Sequence, residues 1–296
     1  MDTVITSQEL NSLRFYQGDI SHYDISTEKE ERKYSSTFYQ TKGAYQILNL
    51  LLYPGMENEI TRICREKKKI PVHLLEDLDN LIIIYRDMFI AMCKYQCMHR
   101  GEGSIRAFRK DRMQSMAMVR NHSTYAFTSC SLKDGIDEYF MKKAGILLLE
   151  YNIPDSIPYI VMNDVLHDNV FQNQEEVLLP PFVAFTELPM DFTEKEMAYK
   201  DVNDEPPKGK YLLTPTQLLF EKEPDNSVSK DQEPDPANEY GKDDIAHAIW
   251  VLTELTDGRI IQEKDAVRYC DWKKKVQGKV RKILERTYYL FNSEGV

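Results

Sequence analysis

The chain has 296 residues, which is enough for one large domain or two smaller ones. Its formal net charge of −10 at pH 7 argues against a protein that coats nucleic acid through its overall charge, although local basic patches stay open. The chain carries five cysteines without metal-ligand or dithiol spacing, so we expect free thiols in a reducing compartment. These are Cys64, Cys93, Cys97, Cys130 and Cys270.

The beginning of the chain, MDTVITSQEL, lacks the basic and apolar segments of a signal peptide. No stretch approaches the ~20 apolar residues that a membrane helix needs. We therefore expect no membrane partner, and a protein that is cytoplasmic or is secreted or translocated into a target cell without a cleavable signal peptide.

The first predicted segments are an arm and a helical lobe. Residues 1–34 alternate polar and aromatic side chains without firm periodicity, which indicates an N-terminal arm. Apolar residues at helical spacing then predict three helices within a lobe at 35–94, interrupted near Pro54 and Pro71.

The texture changes after residue 95 to short runs rich in β-branched and aromatic residues, separated by Gly, Pro, Asn and Asp. A sheet region at 95–220 follows from this change, and its strand candidates are 94–100, 123–132, 144–153, 157–162, 175–185 and 208–214. Strands do not alternate with helices, so the fold class is α+β rather than doubly wound α/β.

The last part of the sequence divides into a loop and a helical extension. Acidic residues and prolines dominate 221–242, which is a composition typical of a solvated loop. The extension at 243–296 contains two predicted helices, about 243–255 and 264–291, and the second carries a basic cluster. That cluster is interpreted as a solvated face, with a nucleic-acid contact as the alternative.

The first of three motifs is HRGEG, His99 to Gly103. Arg100 offers a planar, permanently charged fork for phosphate oxygens, and Gly101 allows a ligand to approach the backbone closely. We expect this pair at the end of the first strand. A second basic group follows at Arg106, Arg109, Lys110 and Arg112, and it could hold adenosine phosphates or a second substrate.

The second motif is FTSCS, Phe127 to Ser131, within a predicted strand. Strand alternation points Ser129 and Ser131 to one face and Cys130 to the other. Cys130 is therefore interpreted as a packing residue and not as a nucleophile.

The third motif is FQNQEEVLLPP, which begins at Phe171. Glu176 directly precedes an apolar strand-forming run, and Gln174 stands two residues before it. An amide such as that of Gln174 can donate and accept hydrogen bonds but cannot take a proton as a carboxylate does.

The three motifs, in this order and spacing, resemble the site of the toxin-type mono-ADP-ribosyltransferases over about residues 73–188. The resemblance implies an α+β fold in which a helical N-terminal lobe packs on a split pair of mainly antiparallel sheets, with a C-terminal helical extension. The spacing from Phe171 through Gln174 to Glu176 is similar to that of the Rho-modifying exoenzymes. Cys130 departs from the threonine that the family has there.

The resemblance also implies roles for these residues. NAD would be the substrate, with Arg100 and Gly101 binding it together with Ser129 and Ser131. Glu176 would stabilise the ribosyl cation, and the Ser129 hydroxyl would brace that carboxylate. Phe171 and Gln174 would meet the acceptor.

The activity implied is transfer of ADP-ribose from NAD to a macromolecule with release of nicotinamide, by a bacterial or phage toxin or effector. Arginine-modifying members carry glutamate where Gln174 stands, so arginine is disfavoured as acceptor. A protein Asn- or Gln-type side chain and a nucleobase both stay open. An immunity or antitoxin protein is a further expected partner.

Two alternatives accompany this interpretation: an NAD glycohydrolase that uses water, and a catalytically inert member that binds a partner. No metal is expected, because the six histidines show no metal-ligand spacing. The sequence also lacks the glycine-rich loops of Rossmann and Walker sites and the nucleophile elbow of hydrolases.

Overall fold

A computed structural model of the chain describes residues 4–17, 48–49, 52, 78–111, 119–120, 122–133, 146–167, 172–201, 203–220 and 263–293. The chain divides into two compact units, one of Met1–Ala91 with Tyr240–Val296 and one of Met92–Glu239. Several predicted features lie outside the described residues: the helix at 57–68, most of the helix that starts at residue 35, the loop at 221–242, the helix at 243–255, Arg112 and Phe171.

The first unit begins with a helix that the sequence analysis did not predict. Helix α1 spans Ser7–Gln17 inside the segment expected to be an arm, and it buries Leu13, Phe15 and Tyr16. Its first turn is closed by reciprocal bonds, since the Glu9 N–H donates to Thr6 Oγ1 (3.3 Å) and the Thr6 N–H donates to Glu9 Oε2 (2.9 Å). This capping box satisfies two backbone donors that a short helix would leave open.

The predicted long C-terminal helix is confirmed at Glu263–Ser293, and it is the last helix of the chain described here, α5. Its apolar side chains recur at helical spacing, and four of them are buried: Val276, Val280, Leu284 and Phe291. The Gln277 side chain donates to the Leu52 carbonyl (2.9 Å), which ties α5 to the N-terminal part of the same unit.

Helix α2, Leu78–Met98, extends past the predicted end of the helical lobe. A strand was predicted at 94–100, and this prediction is wrong. Tyr95 continues the buried face of Met88 and Met92 at helical spacing, and the Gln96 side chain donates to the Asp155 carbonyl (2.7 Å). Packing of this last turn outweighs the strand preference of its aromatic and β-favouring residues.

Among the described residues of the second unit, eight strands form one sheet. They are β1 (Ile105–Asp111), β2 (Ser123–Thr124), β3 (Thr128–Ser131), β4 (Leu147–Ile153), β5 (Ile160–Val161), β6 (Glu176–Leu179), β7 (Val183–Pro189) and β8 (Gly209–Leu218). Their order is β2-β7-β8-β4-β1-β3-β6-β5. Every pairing is antiparallel except that of β4 with β8, so the predicted mixed, mainly antiparallel α+β class is confirmed.

The predicted split pair of sheets is not what the strand pairing shows, because all eight strands belong to one sheet. The sheet is nevertheless narrow at one place. Strands β1 and β3 share a single pair, Phe108 opposite Ser131, whereas β1 and β4 pair along the whole length of β1. This narrow junction joins a five-stranded part, β2-β7-β8-β4-β1, to a three-stranded part, β3-β6-β5.

Two four-residue helices, α3 (Met162–Val165) and α4 (Glu194–Met197), complete the described elements together with a 3-10 turn at Gln172–Gln174. Helix α4 starts with a capping box between Thr193 and Glu196. The Glu196 carboxylate also binds the Lys210 ammonium (2.9 Å), which lies equally close to Glu150 (2.9 Å). These buried charges attach α4 to strands β4 and β8.

Candidate active site

The predicted glutamate and serines meet where β3 and β6 pair. Glu176 is the first residue of β6 and lies directly opposite Ser131, whereas Ser129 lies opposite Leu178. Because partners in an antiparallel pair project to the same face, the two serines share one face with the carboxylate, as predicted. Glu176 is 6% exposed and Ser131 is 2% exposed, so this part of the site is well shielded from solvent.

Ser131, and not Ser129, stands directly across from Glu176, and its hydroxyl binds the backbone before β6. The Ser131 hydroxyl donates to the Gln174 carbonyl (2.6 Å) and accepts from the Lys133 N–H (3.0 Å). The third motif is thus attached to the second motif by side chain and backbone. The bracing role predicted for Ser129 stays a prediction.

Gln174 lies at the end of the 3-10 turn, outside the ladder that holds Glu176. Glu175 follows it with a φ of 46°, in the left-handed region, so simple strand alternation does not relate Gln174 to Glu176. The Gln174 side chain is half-buried beside the catalytic candidate.

Arg100 and Gly101 are not at the end of a strand, so that part of the prediction is wrong. They lie in the turn that follows α2, where Arg100 is exposed and Gly101 has a φ of 90°. The Gly101 N–H donates to Asp155 Oδ2 (3.0 Å). Helix α2 continues to Met98, so the HRGEG motif follows the end of a helix and not of a strand. The first strand begins only at Ile105.

Arg109 occupies the strand position that had been assigned to Arg100. It lies near the end of β1, and its guanidinium donates to the Ser129 carbonyl (2.9 Å) and to Asp111 (2.7 Å). The side chain crosses the narrow junction, next to the one pair that β1 and β3 share. The guanidinium therefore connects β1 with the serine strand where backbone pairing stops.

Arg109 stays positively charged although two thirds of its side chain is shielded from solvent. Burial alone would lower the pKa of this guanidinium, but the negative charge of Asp111 and its hydrogen bond, together with Tyr151 and Cys130, outweigh burial and raise the pKa. The sequence signal that could have identified Arg109 is the strand pattern of Ile105–Asp111, which was interpreted only as a basic cluster.

Cys130 lies on the face of β3 opposite to Ser129 and Ser131, and it is buried. Burial is the main cause that raises the pKa of its thiol to about 12; the charge of Arg109 lowers this pKa, and Glu176 and Asp111 raise it. A thiol in this state is protonated at neutral pH and is a poor nucleophile, which agrees with its interpretation as a packing residue.

Two further searches cover only the part of the chain that the structure describes. Within it, no group of three His, Cys, Asp or Glu side chains is arranged to hold a metal ion. None of the described helices combines the length and the apolar character that crossing a bilayer requires.

Comparison with known proteins gives a distant structural likeness. The chain matches no protein-family model and no curated protein sequence. Among solved structures it is similar to Plx2a, an ADP-ribosyltransferase toxin from Paenibacillus larvae, with a TM-score of 0.35 and 14% identity. The similarity covers 71% of this chain and 96% of that chain.

Proposed function

We propose that this protein is a mono-ADP-ribosyltransferase that cleaves NAD and transfers ADP-ribose to a macromolecular acceptor. One observation carries the proposal: the adjacent strands β1, β3 and β6 bring Arg109, Ser129, Ser131 and Glu176 to the narrow junction of the sheet. These are the residue types that the sequence resemblance calls for, with Arg109 in place of Arg100.

The chemistry explains why a shielded carboxylate is needed. Cleavage of the bond between nicotinamide and ribose leaves a cation-like ribose, as in glycoside hydrolysis. A fixed negative charge in a poorly solvated site stabilises that cation more than water does. Glu176 meets this requirement, because it is buried, it pairs with Ser131 of β3, and the two residues after it pair with β5.

Arg109 serves this site as an organiser. By binding the Ser129 carbonyl it fixes the strand that carries both serines. Because its neighbour Phe108 pairs with Ser131, Arg109 projects from the opposite face of the sheet, where its planar fork holds the Ser129 carbonyl and Asp111 at the same time. Arg100, exposed in the turn after α2, stays a second candidate for binding NAD phosphates.

The acceptor side of the proposal rests on Gln174. An amide at this position cannot deprotonate a guanidinium, so we infer an acceptor other than arginine. A protein amide side chain and a nucleobase are both consistent with a donor and acceptor of hydrogen bonds at this place. The role of toxin or effector, with NAD as the only small-molecule substrate, belongs to the same proposal.

The decisive variant is Glu176→Gln. We expect release of nicotinamide from NAD to fall about a hundredfold or more, as when one transition-state charge interaction is lost. Circular dichroism should be unchanged, because the amide preserves the size of the side chain. Glu175→Gln is the matched control, since Glu175 adjoins Glu176 but lies outside the ladder, and it should retain most of the turnover. Wild-type turnover in Glu176→Gln would refute the proposal.

The acceptor is found by incubating the protein with adenylate-labelled NAD and a whole-cell lysate. Label in macromolecules that protease removes indicates a protein acceptor, and label that nuclease removes indicates a nucleic acid. Label found only in free ADP-ribose would instead support an NAD glycohydrolase.

A further inference from the structure

The segment that carries Gln174 is held by three consecutive residues at the end of β3. The Leu132 N–H donates to the Glu175 carbonyl (3.0 Å), and the Ser131 hydroxyl donates to the Gln174 carbonyl (2.6 Å). The Lys133 ammonium donates to the Asn173 carbonyl (2.9 Å). Each of the three peptide carbonyls before Glu176 is thus bound by one residue of Ser131–Lys133.

Lys133 makes the outermost of these contacts. A substitution of its side chain can remove this contact and leave the backbone pairing of β3 with β6 intact. Its ammonium also lies 3.7 Å from Glu175 Oε1, while 29% of its side chain is exposed. An exposed ion pair at this distance contributes little by itself. The bond to the Asn173 carbonyl is therefore the main contribution of this side chain.

The backbone of the segment needs such support. Glu175 adopts a φ of 46°, which a residue with a Cβ rarely takes and which costs about 1 kcal/mol or more unless surrounding contacts enforce it. Glu176 is held independently, because it pairs with Ser131 in the ladder. Gln174 has no ladder pairing, so its position depends on the contacts made by Ser131–Lys133.

We propose that Lys133 is a positioning residue that sets where Gln174 stands, and thereby decides whether the ribosyl cation is captured by the acceptor or by water. This inference rests on the proposed function. In both outcomes the bond from ribose C1′ to nicotinamide nitrogen breaks, and nicotinamide leaves with the bonding electrons. In transfer, an acceptor nitrogen bonds to C1′ and loses a proton, and in hydrolysis a water oxygen does so.

The first test compares Lys133→Met with Lys133→Arg. Two quantities are measured with adenylate-labelled NAD in a whole-cell lysate: nicotinamide released, and the ratio of label in macromolecules to free ADP-ribose. For Lys133→Met we expect nicotinamide release within about twofold of wild type and a ratio lowered about tenfold or more, as misplacement of an orienting group does. Lys133→Arg keeps a donor for the Asn173 carbonyl and should restore most of the ratio.

The matched control is Lys208→Met, which removes another exposed lysine paired with a glutamate three residues away. It should change neither quantity. An unchanged ratio in Lys133→Met, an equal loss of release and transfer, or a defect that Lys133→Arg does not reverse would overturn the inference.

Hydrogen exchange supplies a readout that does not depend on catalysis. The Leu132 amide is bonded to the Glu175 carbonyl, so loosening of the segment in Lys133→Met should speed exchange at Leu132 and across 173–175. Exchange at wild-type rates would overturn the positioning role. If the wild-type protein releases no nicotinamide, the proposed function fails, and the exchange result alone decides whether Lys133 holds the segment.

Discussion

At the level of single residues, the proposed function can be tested on its two candidate arginines, Arg109 and Arg100. We expect Arg109→Lys to lower nicotinamide release about tenfold or more, because a lysine lacks the fork that spans the Ser129 carbonyl and Asp111. Arg100→Gln should have a smaller effect and act mainly on KM for NAD. Steady-state kinetics on both variants, with melting temperatures as the control for folding, provide the measurement. Loss of activity in Arg100→Gln together with normal activity in Arg109→Lys would reverse the assignment.

The state of Cys130 gives a second prediction about one side chain. Because burial and nearby carboxylates raise the pKa of its thiol to about 12, thiolate should be scarce at neutral pH. Iodoacetamide at pH 7.5 should label Cys97, which is half-buried, faster than Cys130, as measured by mass spectrometry of the two peptides. Rapid labelling of Cys130 in the folded protein would contradict the burial described here.

Sequence reasoning predicted the strand that starts at Glu176 and the shared face of the two serines, but it did not predict the position of the arginine. Glu176 at the start of a strand and the shared face of Ser129 and Ser131 follow from an apolar run and from period-two alternation. The arginine was misplaced because three arginines, Arg100, Arg106 and Arg109, lie within ten residues, and only the end of α2 at Met98 shows that the last two are in a strand. Pairing of Ser131 with Glu176 depends on strand register, which a single sequence does not reveal.

Among the elements, strand β8 and helix α4 are joined by a buried charge cluster. Lys210, whose side chain is 5% exposed, binds the carboxylates of Glu150 and Glu196. We expect Lys210→Met to lower the free energy of unfolding by about 3–5 kcal/mol, because two buried carboxylates lose the ammonium group that they share. Urea denaturation measures this change. Lys208 is exposed and directly precedes β8, so Lys208→Met should lower the free energy of unfolding far less. Equal losses of stability in the two variants would contradict the role of the buried charge cluster.

The same cluster predicts how stability depends on pH. Burial alone would raise the pKa of Glu196, but hydrogen bonds from Thr193 and Lys210 lower it, so its contribution is lost as pH falls through the carboxyl range. Burial alone would lower the pKa of Lys210, but both carboxylates raise it, so its contribution is lost only at strongly alkaline pH. Thermal unfolding of wild type and Lys210→Met should therefore converge at low pH. A constant difference down to pH 3 would contradict this.

Elements were predicted well where a periodic pattern was long and poorly where it was short. The C-terminal helix and strand β4 follow from sustained periodicity and from a run of apolar residues. Helix α1 was missed although Thr6 and Glu9 form a capping-box pattern, because its buried residues are few and partly polar. The end of α2 was misread because its packing, and not its propensity, extends the helix.

For the whole molecule, the net charge of −10 limits the ways in which it can meet nucleic acid. We expect no measurable nonspecific binding to duplex DNA near physiological ionic strength, because few phosphates would be neutralised and repulsion would dominate. Fluorescence anisotropy with a labelled random duplex is the measurement. Tight binding that weakens steeply with salt would show that the exposed basic residues of α5, such as Lys279, Lys282 and Arg286, outweigh the overall charge.

The narrow junction between β1 and β3 also bears on how the protein is made. The chain crosses it four times, between β2 and β3, β3 and β4, β4 and β5, and β6 and β7. Strand β2 finds its partner only in β7, and β8 fills the place between β7 and β4. A ribosome must therefore release the chain through Leu218 before β8 can join β7 to β4, whereas the three-stranded part needs only the chain through Leu179, so the two parts of the sheet can be completed at different stages of synthesis.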